Sequence, residues 1–212
     1  YNEKNQLAEV VETLGTSGDF LTEELALIRA HNLREEFPEE VLKDADKAAQ
    51  KQLPREGRVD LRDHLIITVD GEDTRDIDDA ISVEKKDGKY YLGVHIADVS
   101  SYVPRGCALD EEAFRRGTSA YFPDRELPML PTALSNGICS LNEGVERFTL
   151  SCFMTIDRKG NVLEKRVAPS IIVSRHRMTY TAVTALSEHD KAAVRQYPDL
   201  VEFVDTAIEL TK

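Results

Sequence analysis

The stretch "TVDGEDTRDIDDAIS", Thr68–Ser82, places six carboxylates within ten residues, directly behind the apolar run Leu65–Val69. Like charges at close range repel one another and raise each other's pKa. Such a density indicates either a solvated acidic loop or a site for a divalent cation. The six acids are Asp70, Glu72, Asp73, Asp76, Asp78 and Asp79.

The spacing of these acids favours the cation site. Asp76 and Asp78 face the same way in extended backbone, whereas Asp79 faces the opposite side unless the strand bends or bulges. Ile77 can anchor the segment in the core, and a tight turn behind Asp70 would return that carboxylate toward the others. Oxygen ligands at this density suit Mg²⁺ or Mn²⁺, and a pair of such ions about 4 Å apart is the usual means of phosphodiester cleavage.

The composition limits the class of protein. A chain of 212 residues with 41% hydrophobic and 31% charged residues is expected to form one globular domain or two small ones. No apolar run approaches the roughly 20 residues that span a bilayer, and the N-terminus lacks the blocks of a signal peptide. We therefore expect a cytoplasmic protein with no membrane partner. The three cysteines (Cys107, Cys139 and Cys152) lack CxxC spacing, which favours buried thiols over a zinc site.

The charge is strongly acidic, at −12, and residues 1–63 hold 15 acids against 9 bases. Phosphate contacts depend on Lys and Arg, so any contact with nucleic acid must be local. Two stretches combine basic and aromatic residues, "FRRGTSAYF" at Phe114–Phe122 and "SRHRMTY" at Ser174–Tyr180. From the residues alone, each is either solvated surface or a local binding patch.

The pattern along the chain predicts an α+β fold of mainly antiparallel strands with flanking helices, preceded by a helical connector. Residues 1–15 resemble a terminal strand, residues 16–62 form the connector with two short helices, and residues 63–212 form the main domain. Within that domain, the Asp-Gly pair of "KKDGK" predicts a hairpin turn, and "RKGN" predicts a second one. Helical patterns close the chain from Thr179 onward.

Five blocks carry a resemblance to a known family. They are "TVDGEDTRDIDDAIS", "GVHIADVSSYV", "GTSAYFPDRELPMLP", "LSNGICSLN" and "RMTYTAV". In this order and spacing they resemble the RNB catalytic domain of the ribonuclease II and ribonuclease R family, most closely the ribonuclease R type. The resemblance implies that residues 1–15 are the last strand of a cold-shock (OB-fold) domain and that residues 63–212 are the N-terminal part of the RNB domain.

The family resemblance also implies a function. It implies hydrolytic, processive 3′-to-5′ degradation of RNA to nucleoside 5′-monophosphates, with single-stranded RNA entering by its 3′ end and with Mg²⁺ as cofactor. The family's metal-binding aspartates match Asp70, Asp76, Asp78 and Asp79, of which Asp78 is expected to orient the attacking water. Its two RNA-contacting tyrosines match Tyr121 and Tyr180. An aromatic ring that stacks on any base suits an enzyme without sequence preference.

The same resemblance implies that the chain is a truncated piece of its parent. The last helical pattern, "PDLVEFVDTAIELTK", stops without a cap or breaker. The sequence motifs of the C-terminal half of the RNB domain are not in this sequence. The cold-shock and S1 domains, which bind RNA, are also missing. We therefore expect the isolated chain to be inactive.

The sequence is also compatible with two other functions and contains one other candidate pair. The chain could be a catalytically inactive RNB-type module that only binds RNA, or an unrelated metal-dependent phosphohydrolase, in which the two tyrosines would have no reason to lie near the acids. His95 and Asp98 resemble an acid–base pair. Because His95 lies on an apolar strand, we expect it to be a hydrogen-bonded core residue.

Overall fold

The computed structural model describes residues 9–212, which form seven α-helices and nine strands. The helices are α1 (Phe20–Ala30), α2 (Glu39–Ala49), α3 (Val99–Tyr102), α4 (Ala108–Arg116), α5 (Tyr180–Ser187), α6 (Lys191–Gln196) and α7 (Val201–Leu210). The strands are β1 (Val59–Asp60), β2 (Ile67–Asp70), β3 (Asp79–Lys86), β4 (Lys89–Ala97), β5 (Ala120–Tyr121), β6 (Glu126–Leu127), β7 (Glu146–Ile156), β8 (Val162–Val173) and β9 (His176–Thr179). A π-helical segment spans Ala133–Ile138, and a 3₁₀ turn spans Pro198–Leu200.

Seven of these strands form one sheet in the order β1-β8-β7-β4-β3-β2-β9. The pairs β2/β3, β3/β4, β4/β7 and β7/β8 are antiparallel, whereas β1/β8 and β2/β9 are parallel. The α+β class with mainly antiparallel strands is therefore confirmed. The two parallel edges were not predicted, since each brings together segments far apart in the chain.

The turn between β3 and β4 shows why the long hairpins were predictable. Asp87 has φ of 50° and Gly88 has φ of 73°. This is the left-handed pair of a two-residue hairpin turn, which glycine adopts without cost and aspartate tolerates. The predicted hairpin around "RKGN" is also present, as β7 and β8.

The sheet is covered on both faces. At the start of β2, Ile67 and the preceding Ile66 enter different cores, because successive side chains of extended backbone point to opposite faces. One core includes α2, α4 and Ile77, and the other packs α5–α7 on β2 and β3. Full burial of each such side chain stabilises the fold by about 1.5–3 kcal/mol.

The predicted helical connector is present as α1 and α2, and the connector also adds β1 to the edge of the sheet. The predicted terminal strand over residues 1–15 lies partly outside the described residues, which begin at residue 9. Residues 9–15 form no strand, and most of them are exposed. Their assignment to a preceding OB-fold stays a prediction.

Candidate active site

The acid loop, residues 71–78, links the end of β2 to the start of β3. Asp70 is the last residue of β2 and Asp79 the first of β3, so the two strands hold these carboxylates at fixed positions. Between them, Ile77 is fully buried in the core, which confirms the predicted anchor. A turn at the start of the loop is closed by the Thr74 amide, which donates to the Gly71 carbonyl.

The segment after the π-helical turn holds the loop from one side. The Ser140 hydroxyl accepts from the Ile77 amide and donates to the Arg75 carbonyl, at 3.3 and 2.7 Å. The Leu141 amide donates to the Ile77 carbonyl at 2.8 Å. In addition, the Ala97 amide at the end of β4 donates to the Asp78 carbonyl at 2.9 Å. The backbone around the aspartates is therefore fixed by two separate segments, the one after the π-helical turn and the end of β4.

Arg177 on β9 holds the loop from the other side, and the sequence did not single it out. Its Nη2 donates to the carbonyls of Glu72 and Thr74, the former at 3.1 Å. Its own amide donates to Oε2 of Glu143 at 2.7 Å. Arg177 lies in the basic and aromatic stretch "SRHRMTY", which was a candidate binding patch. That stretch could not show its role, because no local pattern indicates that β9 lies beside β2.

The acid loop opens onto a cavity of about 510 Å³. Three of the four predicted metal ligands line it, whereas Asp79 does not. The lining residues are Asp70, Asp73, Thr74, Arg75, Asp76, Asp78, Tyr121, Glu126 and Asn136. The predicted catalytic residue, Asp78, is exposed to solvent. Arg75 is the one basic residue in the described lining, so the cavity carries a strongly negative charge.

Burial and mutual repulsion raise the pKa of two of the aspartates. For Asp70, burial is the largest cause, followed by the charges of Asp79 and Asp78, while Arg177 opposes the rise. For Asp79, burial again comes first and the charge of Asp78 second. These mutual effects place Asp79 within electrostatic reach of the cavity even though it is not part of the wall.

The donors fit a hard cation. All four side chains offer carboxylate oxygens, the ligands that Mg²⁺ and Mn²⁺ prefer. Oδ2 of Asp70 is buried and has no hydrogen-bond partner among the described residues, so it is free to bind an ion. In residues 9–212, no group of three or more His, Cys, Asp or Glu side chains is arranged closely enough to hold a metal ion in this conformation. The donor chemistry is present, and the coordination geometry is not.

Tyr121 lies at the wall of this cavity. It is part of the small β5–β6 hairpin, where it pairs with Glu126. Its hydroxyl donates to Oδ2 of Asp76 at 2.7 Å, and 67% of the residue is exposed. The hydrogen bond to Asp76, followed by burial, raises the pKa of Tyr121 to about 12. The ring is thus available to a ligand while the phenol stays protonated.

Tyr180 is placed by the parallel pairing of β9 with β2. In that register Thr179 lies opposite Asp70, and Tyr180 follows as the first residue of α5. The Thr179 side chain caps the helix by accepting from the Ala182 amide. Tyr180 is 64% exposed and is not part of the cavity wall. It lies beside the site rather than in it.

Glu126 and Asn136 also line the cavity, and sequence reasoning missed both. Burial raises the pKa of Glu126, and the charge of Asp76 adds to the rise. Oε1 of Glu126 is buried without a hydrogen-bond partner in the described part of the chain. Glu126 lies within the quoted block "GTSAYFPDRELPMLP", but only the hairpin turn shows that it faces back toward the loop.

The pair His95 and Asp98 does not form an acid–base site, as expected. His95 is 1% exposed, and its ring nitrogens contact the hydroxyls of Ser151 and Ser82 at 2.7 and 3.1 Å. Burial lowers the pKa of His95 to about 4. Asp98 instead pairs with Arg58 at 2.7 Å. Both residues therefore stabilise the sheet and its edge.

The arginines of "FRRG" also have structural partners. The side chain of Arg116 is buried, donates to Glu112 at 3.0 Å and lies 3.7 Å over the ring of Phe37. Arg115 is exposed and pairs with Glu111. Arg116 is therefore not part of a solvated surface, because its guanidinium also donates to the carbonyls of Arg34 and Glu36 in the distant connector.

An RNB domain matches residues 58–212, more than half of the chain. The chain belongs to the RNB family. It is 49% identical over 214 residues to Ribonuclease R of Thermotoga maritima, in an alignment that covers 99% of this chain and 30% of that protein. The chain thus spans under a third of that relative's length.

Solved structures support the same family. Mycoplasma genitalium RNase R in complex with ribose methylated single-stranded RNA superposes with a TM-score of 0.80 at 29% identity, covering 93% of this chain and 31% of that one. Yeast Ssd1, described as a pseudonuclease, superposes with a TM-score of 0.64 at 23% identity, covering 82% and 23%. At that identity the likeness shows the fold alone. None of the helices in residues 9–212 combines the length and apolarity needed to span a bilayer.

Proposed function

We propose that this chain is the metal-binding part of a hydrolytic exoribonuclease that degrades RNA processively from its 3′ end and releases nucleoside 5′-monophosphates. The observation that carries the proposal is the contact between Tyr121 and Asp76, which joins an exposed aromatic ring to a cavity lined with carboxylates. An exposed ring on which an RNA base can stack, here called a base platform, suits a nuclease better than an enzyme for small phosphates when it lies directly beside a metal site. The name of the Thermotoga maritima relative supports the same activity.

The cofactor would be Mg²⁺, with Mn²⁺ as a substitute, held by Asp70, Asp76, Asp78 and Asp79. When bound, such ions lower the pKa of a water molecule and stabilise the negative charge on the phosphate oxygens during cleavage. The unpartnered Oδ2 of Asp70 and the raised pKa of Asp70 and Asp79 are consistent with groups that need a positive charge between them.

Asp78 is proposed to orient the attacking water. Its backbone is fixed by the bond from Ala97, while its carboxylate is exposed and faces the cavity. A carboxylate in this position can accept a hydrogen bond from water and direct an oxygen lone pair at the phosphorus. Such positioning contributes to catalysis by converting an encounter of two molecules into a reaction within one complex.

Tyr121 and Tyr180 are proposed to stack on the bases at the RNA 3′ end. Every base has an aromatic face, so stacking tolerates any sequence and allows degradation to continue along the strand. The hydrogen bond from Tyr121 to Asp76 would also fix the distance between the tyrosine ring and the metal site.

We further propose that the 212-residue chain alone degrades RNA negligibly. The described cavity wall has five acids against the single base Arg75, so it offers little positive charge to a phosphate. Preorganised positive charge beside the reacting group commonly lowers the activation free energy by several kcal/mol. The remaining charge, and the cold-shock and S1 domains that would grip the RNA, are assigned to the longer parent protein.

The test is a single-stranded RNA labelled at its 5′ end and incubated with the parent enzyme in Mg²⁺. Progressive shortening to a very short limit product, with release of monophosphates, is expected. Asp78→Asn should abolish the shortening, whereas Asp63→Asn, an exposed aspartate outside the cavity, should not. Internal cuts would contradict the exonuclease assignment. Binding of RNA without cleavage by the unmodified parent would indicate an inactive RNB-type module instead.

A further inference from the structure

The β5–β6 hairpin is held from two sides, and only one of them is the acid cavity. Its strands carry Tyr121 and Glu126, which both line the cavity, and its turn is closed by the Phe122 amide donating to the Arg125 carbonyl at 2.8 Å. The hairpin pairs with no strand of the seven-stranded sheet in the described residues. Its position therefore depends on side-chain contacts.

The second side is an ion-pair network with α1 and the loop that follows it. Arg125, in the hairpin turn, donates from Nε to Oε1 of Glu24 and from Nη1 to Oε2 of Glu35 at 3.3 Å. The Glu24 side chain is only 3% exposed, and Arg125 is its only salt-bridge partner among residues 9–212. The Arg125 side chain is 40% exposed, but its removal would leave the buried Glu24 carboxylate without an opposite charge beside it. The Arg125–Glu24 contact is therefore a strong constraint on the turn.

The network extends to the beginning of the described chain. Arg29 of α1 bridges Glu35 at 2.6 Å and Glu12 at 2.7 Å. The ion pairs thus run from Glu12 through Arg29, Glu35 and Arg125 to Glu24. All of these residues except Arg125 precede residue 58, where the match to the RNB domain begins.

We infer that Arg125 is a positioning residue through which α1, outside the RNB domain, sets Tyr121 over the acid cavity. The inference rests on the proposed function, because it gives Tyr121 the role of a base platform. A shift of α1 moves the turn through Glu24, and the two short strands transmit the shift to the ring, four residues away from Arg125. In this way α1 affects RNA binding through the position of the Tyr121 ring.

A double-mutant cycle in the full-length parent enzyme tests this inference, with KM and kcat measured on single-stranded RNA in Mg²⁺. Arg125→Ala should raise KM about fivefold with kcat nearly unchanged. Residues that share a network commonly change each other's effect on an equilibrium by roughly 2- to 150-fold, so a fivefold effect lies within that range. In a Tyr121→Ala background the same substitution should change KM by less than about twofold, because the ring it positions is absent. Arg125→Lys should restore part of the loss. Arg115→Ala, which removes an exposed pair on α4, is the matched control and should change nothing.

Hydrogen exchange of residues 120–127 gives a readout that does not depend on catalysis. Arg125→Ala should speed the exchange of the hairpin amides, and Arg115→Ala should not. If Arg125→Ala prevents folding, the pair Glu24→Gln with Arg125→Gln removes both charges together and is expected to reproduce the KM effect. A KM effect that persists in the Tyr121→Ala background, or unchanged hairpin exchange, would overturn the inference. If Tyr121→Ala alone left KM unchanged, the proposed function would be overturned as well.

Discussion

Tyr121 and Asp76 are 45 residues apart in sequence, yet the phenol oxygen of one lies 2.7 Å from a carboxylate oxygen of the other. The contact places an exposed ring at the wall of an acidic cavity. It also gives the hydroxyl and the ring of Tyr121 separate roles, one toward Asp76 and one toward RNA. These roles can be separated by substitution.

Substitutions at Tyr121 should distinguish the ring from the hydroxyl. Tyr121→Ala removes the stacking surface and should weaken binding of single-stranded RNA to the parent enzyme by about 1–3 kcal/mol. Tyr121→Phe keeps the ring and should cost less. Fluorescence anisotropy of a labelled RNA measures both.

Phe114→Ala is the control for these substitutions, because Phe114 is 88% exposed on α4 and is not part of the cavity wall. It should leave RNA binding unchanged. Tyr180→Ala is expected to behave as Tyr121→Ala does. Equal binding by all three alanine variants would contradict the base-platform role of the tyrosines.

The acid loop should destabilise the chain in the absence of metal. Because the pKa of Asp70 is raised in the folded state, folding favours its protonated form, and stability is lost as the pH rises from the ordinary value of 3.8 through the raised one. Asp70→Asn removes that charge and should raise the melting temperature at pH 7 in a chelator. Each kcal/mol of relief corresponds to about 2–4 °C for a chain of this size.

The gain from Asp70→Asn should vanish below about pH 4, where the native aspartate is itself neutral. Asp63→Asn, on an exposed side chain, should show no gain at either pH. Thermal melts at pH 7 and pH 3.5 compare the variants. A loss of stability in Asp70→Asn at neutral pH would show that the carboxylate is satisfied in the folded chain.

We expect His95 to give the folding stability a second pH dependence, opposite in sign to that of Asp70. Its folded pKa of about 4 lies below the ordinary 6.5, so the stability that it contributes is full above pH 6.5 and is lost as the pH falls through 4. This lowering of the His95 pKa corresponds to about 3 kcal/mol of folding stability. Urea unfolding at pH 7 and pH 4 should show that loss in the native chain.

The loss should be absent in His95→Gln, which cannot be protonated but can still contact a neighbouring hydroxyl. His189→Gln, at an exposed histidine, is the control and should keep the native pH dependence. An identical pH dependence for His95→Gln and the native chain would mean that His95 is not the group responsible.

Local patterns were sufficient to predict the parts of the site that depend on neighbours in sequence. Ile77 between Asp76 and Asp78 fixed the direction of the acid loop, and Asp87 with Gly88 fixed the hairpin behind it. Those features are set by alternation and turn conformation within a few residues.

The rest of the site depends on contacts across the chain. Arg177 contacts Glu72 over 105 residues, through a parallel pairing of β9 with β2 that leaves no local pattern. Glu126 enters the cavity because its hairpin folds back on the acid loop, and Arg125 fixes that hairpin to a helix 101 residues earlier. No propensity or spacing encodes such pairs. The resemblance to the RNB family identified aspartates and tyrosines, but not the residues that hold them.

The most direct test of a metal site formed by the aspartates is a melting curve of the 212-residue chain in increasing Mg²⁺ or Mn²⁺. An ion that binds only the folded form should stabilise it by about 2.7 kcal/mol at a hundredfold excess over its dissociation constant. Asp78→Asn should weaken that response, and Asp63→Asn should keep it. A melting temperature that does not change in millimolar concentrations of either ion would contradict a site formed by Asp70, Asp76, Asp78 and Asp79.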